Sequence, residues 1–119
     1  MEQYVDGFVL PIAEDKLDAY FAIAEMASKV WIEHGALEYR ETVGDDLKAN
    51  DMVPFPQLAG AKEGETVVLA WIVYQSREHR DEVNAKVMAD PRIQEMMGDG
   101  CPFDYTRMAY GGFKTKVKA

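Results

Sequence analysis

The stretch Thr66-Val67-Val68-Leu69-Ala70-Trp71-Ile72-Val73-Tyr74 decides the fold. It is unbroken, rich in β-branched and aromatic residues, and apolar at odd and even positions alike. A strand with two apolar faces is covered on both, which marks it as central in its sheet. Downstream, Ser76 reads as the N-cap of a helix with Glu78 in its first turn, where the helix dipole favours an anion. Val83, Val87 and Met88 form its apolar stripe. Asp90-Pro91 ends that helix and opens another, with Asp90 as cap and Pro91 at the first helical position. Ile93, Met96 and Met97 make the short helix apolar on one side, Gly98 stops it, and Gly100 to Pro102 is a loop. Thr106 to Lys114 reads as the last strand, interrupted by Gly111-Gly112.

Upstream, regularity dissolves between Gly44 and Gly64. Asp45-Asp46 and Asn50-Asp51 are turn chemistry, and Pro54 and Pro56 break any central strand. Met52, Val53, Phe55 and Leu58 predict that part of this long connection packs on something, with an edge strand near Val53–Leu58 as one form. Ala36 to Val43 alternates, with Leu37, Tyr39 and Glu41 on one face and Glu38, Arg40 and Thr42 on the other. Before it, Leu17, Tyr20, Phe21, Ala24, Ala27, Ser28 and Trp31 fall on one stripe of a helix from about Ala13 to His34, stopped by Gly35. Tyr4 to Leu10 is a first strand, ended near Pro11.

The order is strand, helix, strand, strand, helix, strand. This is the α+β, ferredoxin-like βαββαβ plan: a four-stranded antiparallel sheet, both helices on one face, first and third strands central. The chain of 119 residues is expected to form a single domain over positions 1–119. Hydrophobic residues make up 48% of it, as in ordinary globular domains. Thirteen Lys and Arg against 21 Asp and Glu give a net charge of -8, which disfavours nucleic acid and anionic membrane surfaces as partners. The lone Cys101 asks for no oxidising compartment, and no apolar run approaches the roughly 18 residues that span a bilayer, so the expected location is the cytoplasm. Glu2 and Asp6 stand where a secretory or transit segment would be basic. Lys114, Lys116 and Lys118 read as a solvated basic end.

Small residues suit the side of a sheet beneath helices. On the first strand this assigns Val5, Gly7 and Val9 to the helix side and Tyr4, Asp6, Phe8 and Leu10 to the far side. On the third strand, the bulkier set of Val67, Leu69, Trp71 and Val73 goes to the far side. Such a face exceeds what a monomer usually exposes. Two sheets packed across a two-fold axis would cover it, and the expectation is a homodimer enclosing a shared barrel.

A resemblance runs along the chain. Tyr4-Val5-Asp6-Gly7-Phe8, Trp71-Ile72-Val73-Tyr74 with Ser76, Arg80-Asp81, Asn84, Lys86, Met88-Ala89-Asp90-Pro91-Arg92, Pro102-Phe103-Asp104, Arg107-Met108 and Tyr110-Gly111-Gly112-Phe113 resemble, in order, the bacterial YbaA-like family, domain-of-unknown-function family 1428. The resemblance implies a dimeric α/β barrel. That superfamily includes cofactor-free monooxygenases, haem-dependent chlorite dismutases, and small decarboxylases and isomerases, but the family itself implies no reaction. Cys101 departs from the methionine the pattern implies, and the Gly44–Gly64 segment matches less well than the rest.

Catalytic chemistry is sparse. His34 titrates near neutrality and is a candidate general base, but it also sits in the last turn of a helix, where a cation is favoured. His79 reads as exposed. The histidines and Cys101 lack zinc-ligand spacing, Asp45, Asp46 and Asp51 lack calcium-loop spacing, and only His34 would serve as a haem ligand. Cys101 has no evident activating base. Gly111-Gly112 marks a bulge or a close backbone contact. With no dinucleotide fingerprint, phosphate loop or serine elbow, no cofactor is expected. Asp6, Glu38, Arg40 and Arg107 stand among Tyr4, Phe8 and Trp71; on the far face they must be paired, either as structural ion pairs or around a small molecule. Asp6 and Arg107 thereby join His34 as catalytic candidates. For a ligand, the expected mouth lies between the Gly44–Gly64 and Gly98–Asp104 segments. Phe55 and Phe103 would form its lid over Trp71, Tyr39 and Tyr110, and Arg107 would hold an anionic group. Two functional readings stand: a protein without assignable activity that binds a small molecule in the barrel, and a cofactor-independent monooxygenase- or isomerase-like enzyme acting on a small aromatic or hydrophobic substrate.

Overall fold

The computed structural model describes residues 2–97 and 101–119. Strand β1 (Tyr4–Ala13) leads through a 3-10 turn (Glu14–Lys16) into helix α1 (Leu17–Glu33), then β2 (Glu38–Val43), the short α2 (Phe55–Ala59) and β3 (Glu65–Tyr74). Helices α3 (Arg77–Met88) and α4 (Pro91–Met96) follow, then a second 3-10 turn (Tyr105–Arg107) and β4 (Ala109–Lys114). The strands form one antiparallel sheet in the order β2-β3-β1-β4, the ferredoxin-like arrangement with β1 and β3 at its centre. Among the described residues no helix is long and apolar enough to cross a membrane.

Local chemistry explains where element boundaries differ from the sequence reading. Strand β1 runs on through Pro11 to Ala13, because its pairing with β4 ends at Val9 while its pairing with β3 continues. Beyond Val9, Pro11 sits on a free edge, where a missing N–H is tolerated. Helix α1 therefore begins at Leu17 rather than Ala13. The segment expected as an edge strand near Val53–Leu58 is α2: Pro56 stands in its first turn, and Gly60 closes it in the left-handed region at φ 68°. Thr106 lies in the 3-10 turn rather than in β4, since the Asp104 carboxylate accepts from its backbone N–H at 2.9 Å and its hydroxyl at 2.6 Å. Ser76 and Asp90 cap α3 and α4 as expected, accepting from the backbone N–H of His79 and Arg92 respectively. The expected helix stop at Gly98 and the loop start at Gly100 lie outside the described residues.

The register fixes the two faces of the sheet. Tyr4, Asp6, Phe8 and Leu10 pair with Tyr74, Ile72, Ala70 and Val68, and this set faces the helices. Val5, Gly7 and Val9 share the opposite, open face with Leu69, Trp71 and Val73. The face expected for β1 is thus reversed, while that of β3 is as expected. The reason lies in α1, which presents Ala24 and Ala27 to the sheet. Here the short side chains are on the helix, so the strand beneath it carries the long ones. Tyr4 in turn packs against backbone: a Cβ on Gly112 would come within 2.6 Å of its ring, which is why β4 has glycine there. Helix α2 lies against β1 and β3, and at that end of the open face Pro11 and Val67 are buried.

Candidate ligand-binding cavity

Because α1 crosses the sheet on alanines, space remains beneath it. A cavity of about 390 Å³ lies there, floored by Phe8, Ala70 and Ile72, roofed by Ala24, Ala27 and Trp31. Met88, Ile93 and Met96 close one end, and Phe103, Tyr105 and Met108 close another. The volume is within the roughly 300–1,000 Å³ typical of small-molecule sites, and the lining is mostly apolar with a few convergent polar groups, as such sites are.

Glu41 carries the first of these groups. Strand alternation turns Tyr39 and Glu41 to the cavity together, and the α1 stripe brings Tyr20 over them. The Tyr20 hydroxyl donates to Glu41 Oε1 at 2.7 Å, and the Tyr39 hydroxyl donates to Oε2 at 2.7 Å. Burial pushes the Glu41 carboxyl above its ordinary pKa, although both tyrosine hydrogen bonds pull the other way. Burial, the neighbouring carboxylate and the hydrogen bonds to it raise both tyrosines. A second hollow of about 290 Å³, reaching Phe21, Glu25 and Ser28 on α1, shares Ala24, Tyr39 and Glu41 with the first. Glu41 therefore stands between two spaces.

Asp6 carries the second. Only 1% exposed, it lies on the cavity wall, and Arg80 from α3 reaches behind it with Nη1 at 2.9 Å from Oδ1. The same nitrogen donates to the Tyr110 hydroxyl at 2.6 Å, and the guanidinium lies 4.9 Å from the centroid of the Tyr4 ring. Desolvation outweighs the guanidinium and raises the Asp6 pKa. Tyr110 stacks on Phe8 with centroids 5.0 Å apart. A third group, Asn84 Oδ1, accepts from Tyr74 at 3.2 Å and from Trp31 Nε1 at 3.4 Å.

The residues singled out from the sequence divide. Asp6, Tyr39, Phe103 and Tyr110 line the cavity together, as does Cys101. The other four stand elsewhere. His34 Nε2 lies 2.9 Å from Asp90 Oδ2 and ties the end of α1 to the start of α4. Asp90 is held far below the usual carboxylate range, by Arg92 first and His34 second. Arg107 grips both oxygens of Glu65 at 2.7 and 2.8 Å and donates to the Gly60 carbonyl at 2.8 Å, so its guanidinium is spent on joining the β4 approach to the α2–β3 connection. That contact holds Glu65 at about 2. Phe55 is exposed on α2. Trp71 stands on the open face, where its indole N–H donates to Glu38 at 3.1 Å and Arg40 lies over its ring. Arg40 also pairs with Glu38 at 3.2 Å, so this ion pair lies within one strand.

Glu41, Tyr20, Arg80 and Asn84 were not singled out as site residues. The signal for Glu41 was present: it shares the alternating face of Tyr39, and an acid on a face that also carries a tyrosine asks for a donor. Nothing in the sequence pairs Arg80 with Asp6 across 74 positions. Among the described residues, no group of three or more His, Cys, Asp or Glu side chains could hold a metal ion.

Residues 3–105 match the family described as "Protein of unknown function (DUF1428)". The chain is 43% identical over 115 residues to the "Uncharacterized protein YbaA" of Escherichia coli strain K12, with 97% of each chain covered, and equally to that of Shigella flexneri. In three dimensions it is similar to an uncharacterized NIPSNAP domain protein from Burkholderia xenovorans, at a TM-score of 0.60 and 15% identity, covering 98% of this chain and 94% of that one. It is also similar to a nipsnap family protein of unknown function from Agrobacterium tumefaciens, at a TM-score of 0.58 and 14% identity, covering 95% and 87%. At such identities the structural likeness speaks to the fold alone. Match and identity together extend over nearly the whole sequence, and the chain belongs to the DUF1428 family of YbaA-like proteins.

Proposed function

We propose that this chain binds a small, mainly apolar molecule in the cavity between its sheet and its helices. The carrying observation is the combination of a roughly 390 Å³ apolar space with the Glu41–Tyr20–Tyr39 group on its wall. A solid core would fill that space, since interiors pack to crystal-like density. The test uses a neutral fluorescent probe, N-phenyl-1-naphthylamine, with the only cysteine as a second reporter. Cys101 lines the cavity, so an occupant should slow its alkylation by iodoacetamide. Saturable fluorescence enhancement with protection of Cys101 is expected. Neither effect at probe concentrations up to its solubility limit overturns the reading.

A second reading, a cofactor-independent enzyme of the oxygenase or isomerase kind, draws support from one observation. A carboxylate raised by burial beside a ligand space is suited to accept a proton. Mass spectrometry of a bound compound after incubation separates the two readings: an unchanged mass supports binding alone, and a changed one supports turnover.

The open sheet face supports a homodimer. Leu69 and Phe113, 37% and 63% exposed, stand there with Val5, Val9, Trp71 and Val73. An apolar sheet face of this kind calls for a cover, and a second copy supplies a matching one. Light scattering should give twice the 13.4 kDa chain mass; a monomer at micromolar concentration would refute it. A cytoplasmic setting is supported by the lone cysteine of the chain.

A further inference from the structure

The cavity wall has an unbalanced charge. Among the described residues that line it there is no Lys, Arg or His, and its carboxylates are Asp6 and Glu41. Asp6 has its counter-charge in Arg80 at 2.9 Å. Glu41 has only two phenolic hydroxyls. Hydroxyls stabilise a carboxylate but do not neutralise it, and Glu41, half-buried, is a partly desolvated charge without an opposite partner, which is costly. What the wall lacks is a cation.

Three further observations point the same way. The lining carries many aromatic rings, Trp31, Tyr39, Phe8 and Phe103 among them, whose quadrupoles favour a cation over an anion. The chain's net charge of -8 draws cations and repels anions. Burial, working on Glu41 with no cation near it, has raised its carboxyl; an arriving ammonium would reverse that shift.

Resting on the binding role proposed above, we propose that the cavity's ligand is an organic amine, its ammonium placed against Glu41 beside the Tyr20 and Tyr39 hydroxyls and its apolar or aromatic body among Ala24, Ala27 and Ile72. A neutral alcohol of the same shape satisfies a lone pair of Glu41 but leaves its charge unpaired. A carboxylate of that shape adds a second negative charge to the site.

Three compounds of nearly equal size test this: 2-phenylethylamine, 2-phenylethanol and phenylacetate, titrated calorimetrically into the full chain at neutral pH. The amine should bind at least about tenfold more tightly than the alcohol, with the carboxylate weakest. In Glu41→Gln the amine should fall to the level of the alcohol, while alcohol affinity stays within about threefold. The proposal is overturned if the alcohol or the carboxylate matches the amine on the unaltered chain, or if Glu41→Gln keeps the amine preference. Should Glu41→Gln fail to fold, the ranking on the unaltered chain decides alone. If none of the three binds while N-phenyl-1-naphthylamine does, the amine assignment falls and the cavity reading survives; if the dye also fails, both fall.

Discussion

At the scale of single residues, the cavity rests on two carboxylates, Asp6 buried and Glu41 half-buried, that are satisfied differently. Asp6 depends on an arginine from another element, and that dependence is measurable. Removing one partner of a buried pair leaves an uncompensated charge, at a cost of about 3–5 kcal/mol. Arg80 is 12% exposed in its side chain and Asp6 1%, so the lower end of that range applies. Arg80→Met is expected to destabilise the fold by about 3 kcal/mol at neutral pH. The pH dependence has a definite sign. Burial already raises Asp6 above its ordinary 3.8, so the folded state holds this proton more tightly than the unfolded chain. Stability from this group therefore falls as pH climbs from 3.8 through the raised value and is level beyond it. Without Arg80 the pKa rises further and that window widens. Denaturant titrations should show the gap between parent and variant closing toward low pH. A gap that stays constant or grows as pH falls would mean that Arg80 acts through packing instead.

At the scale of elements, the sequence was most legible where periodicity was strong. The runs Thr66–Tyr74 and Leu17–Trp31 announce a central strand and an amphipathic helix, and the structure has both. The face of β1 was not legible, because relative bulk decides it only when both partners are considered. Ala24 and Ala27 stand in the α1 stripe, and reading them as the small side of the interface would have sent Phe8 and Leu10 beneath the helix. The Asp6–Arg80 pair depends on tertiary approach between β1 and α3, which no local pattern encodes. Phe103, expected in a lid, and Tyr39, expected beneath it, both lie in the cavity wall, but in company with Tyr20, not Trp71. The alanines also make a prediction about α1. Ala27→Leu adds side-chain volume to an existing space, so it should reduce dye affinity at least about tenfold while thermal stability is kept within about 1 kcal/mol or raised. Dye affinity unchanged by Ala27→Leu would move the binding site out from under α1.

At the scale of the whole molecule, the sheet separates two surfaces. Its helix side holds the cavity, and its open side carries Leu69, Trp71, Val73 and Phe113. A dimer formed through the open side would leave the cavity of each copy intact. Trp71→Glu places a charge at the middle of that side and should convert the dimer to a monomer by light scattering, with circular dichroism preserved. A Trp71→Glu variant that remains dimeric would send the interface elsewhere. The central claim, that the helix side binds a small molecule, is tested most directly by amide chemical-shift mapping of the full chain during titration with N-phenyl-1-naphthylamine. The predicted result is saturable shifts clustered at Tyr20, Ala24, Ala27, Tyr39, Glu41 and Met108, with little change at Val5, Val9 and Leu69. Shifts confined to Val5, Val9, Leu69 and Trp71, or no saturable shifts at all, would contradict it.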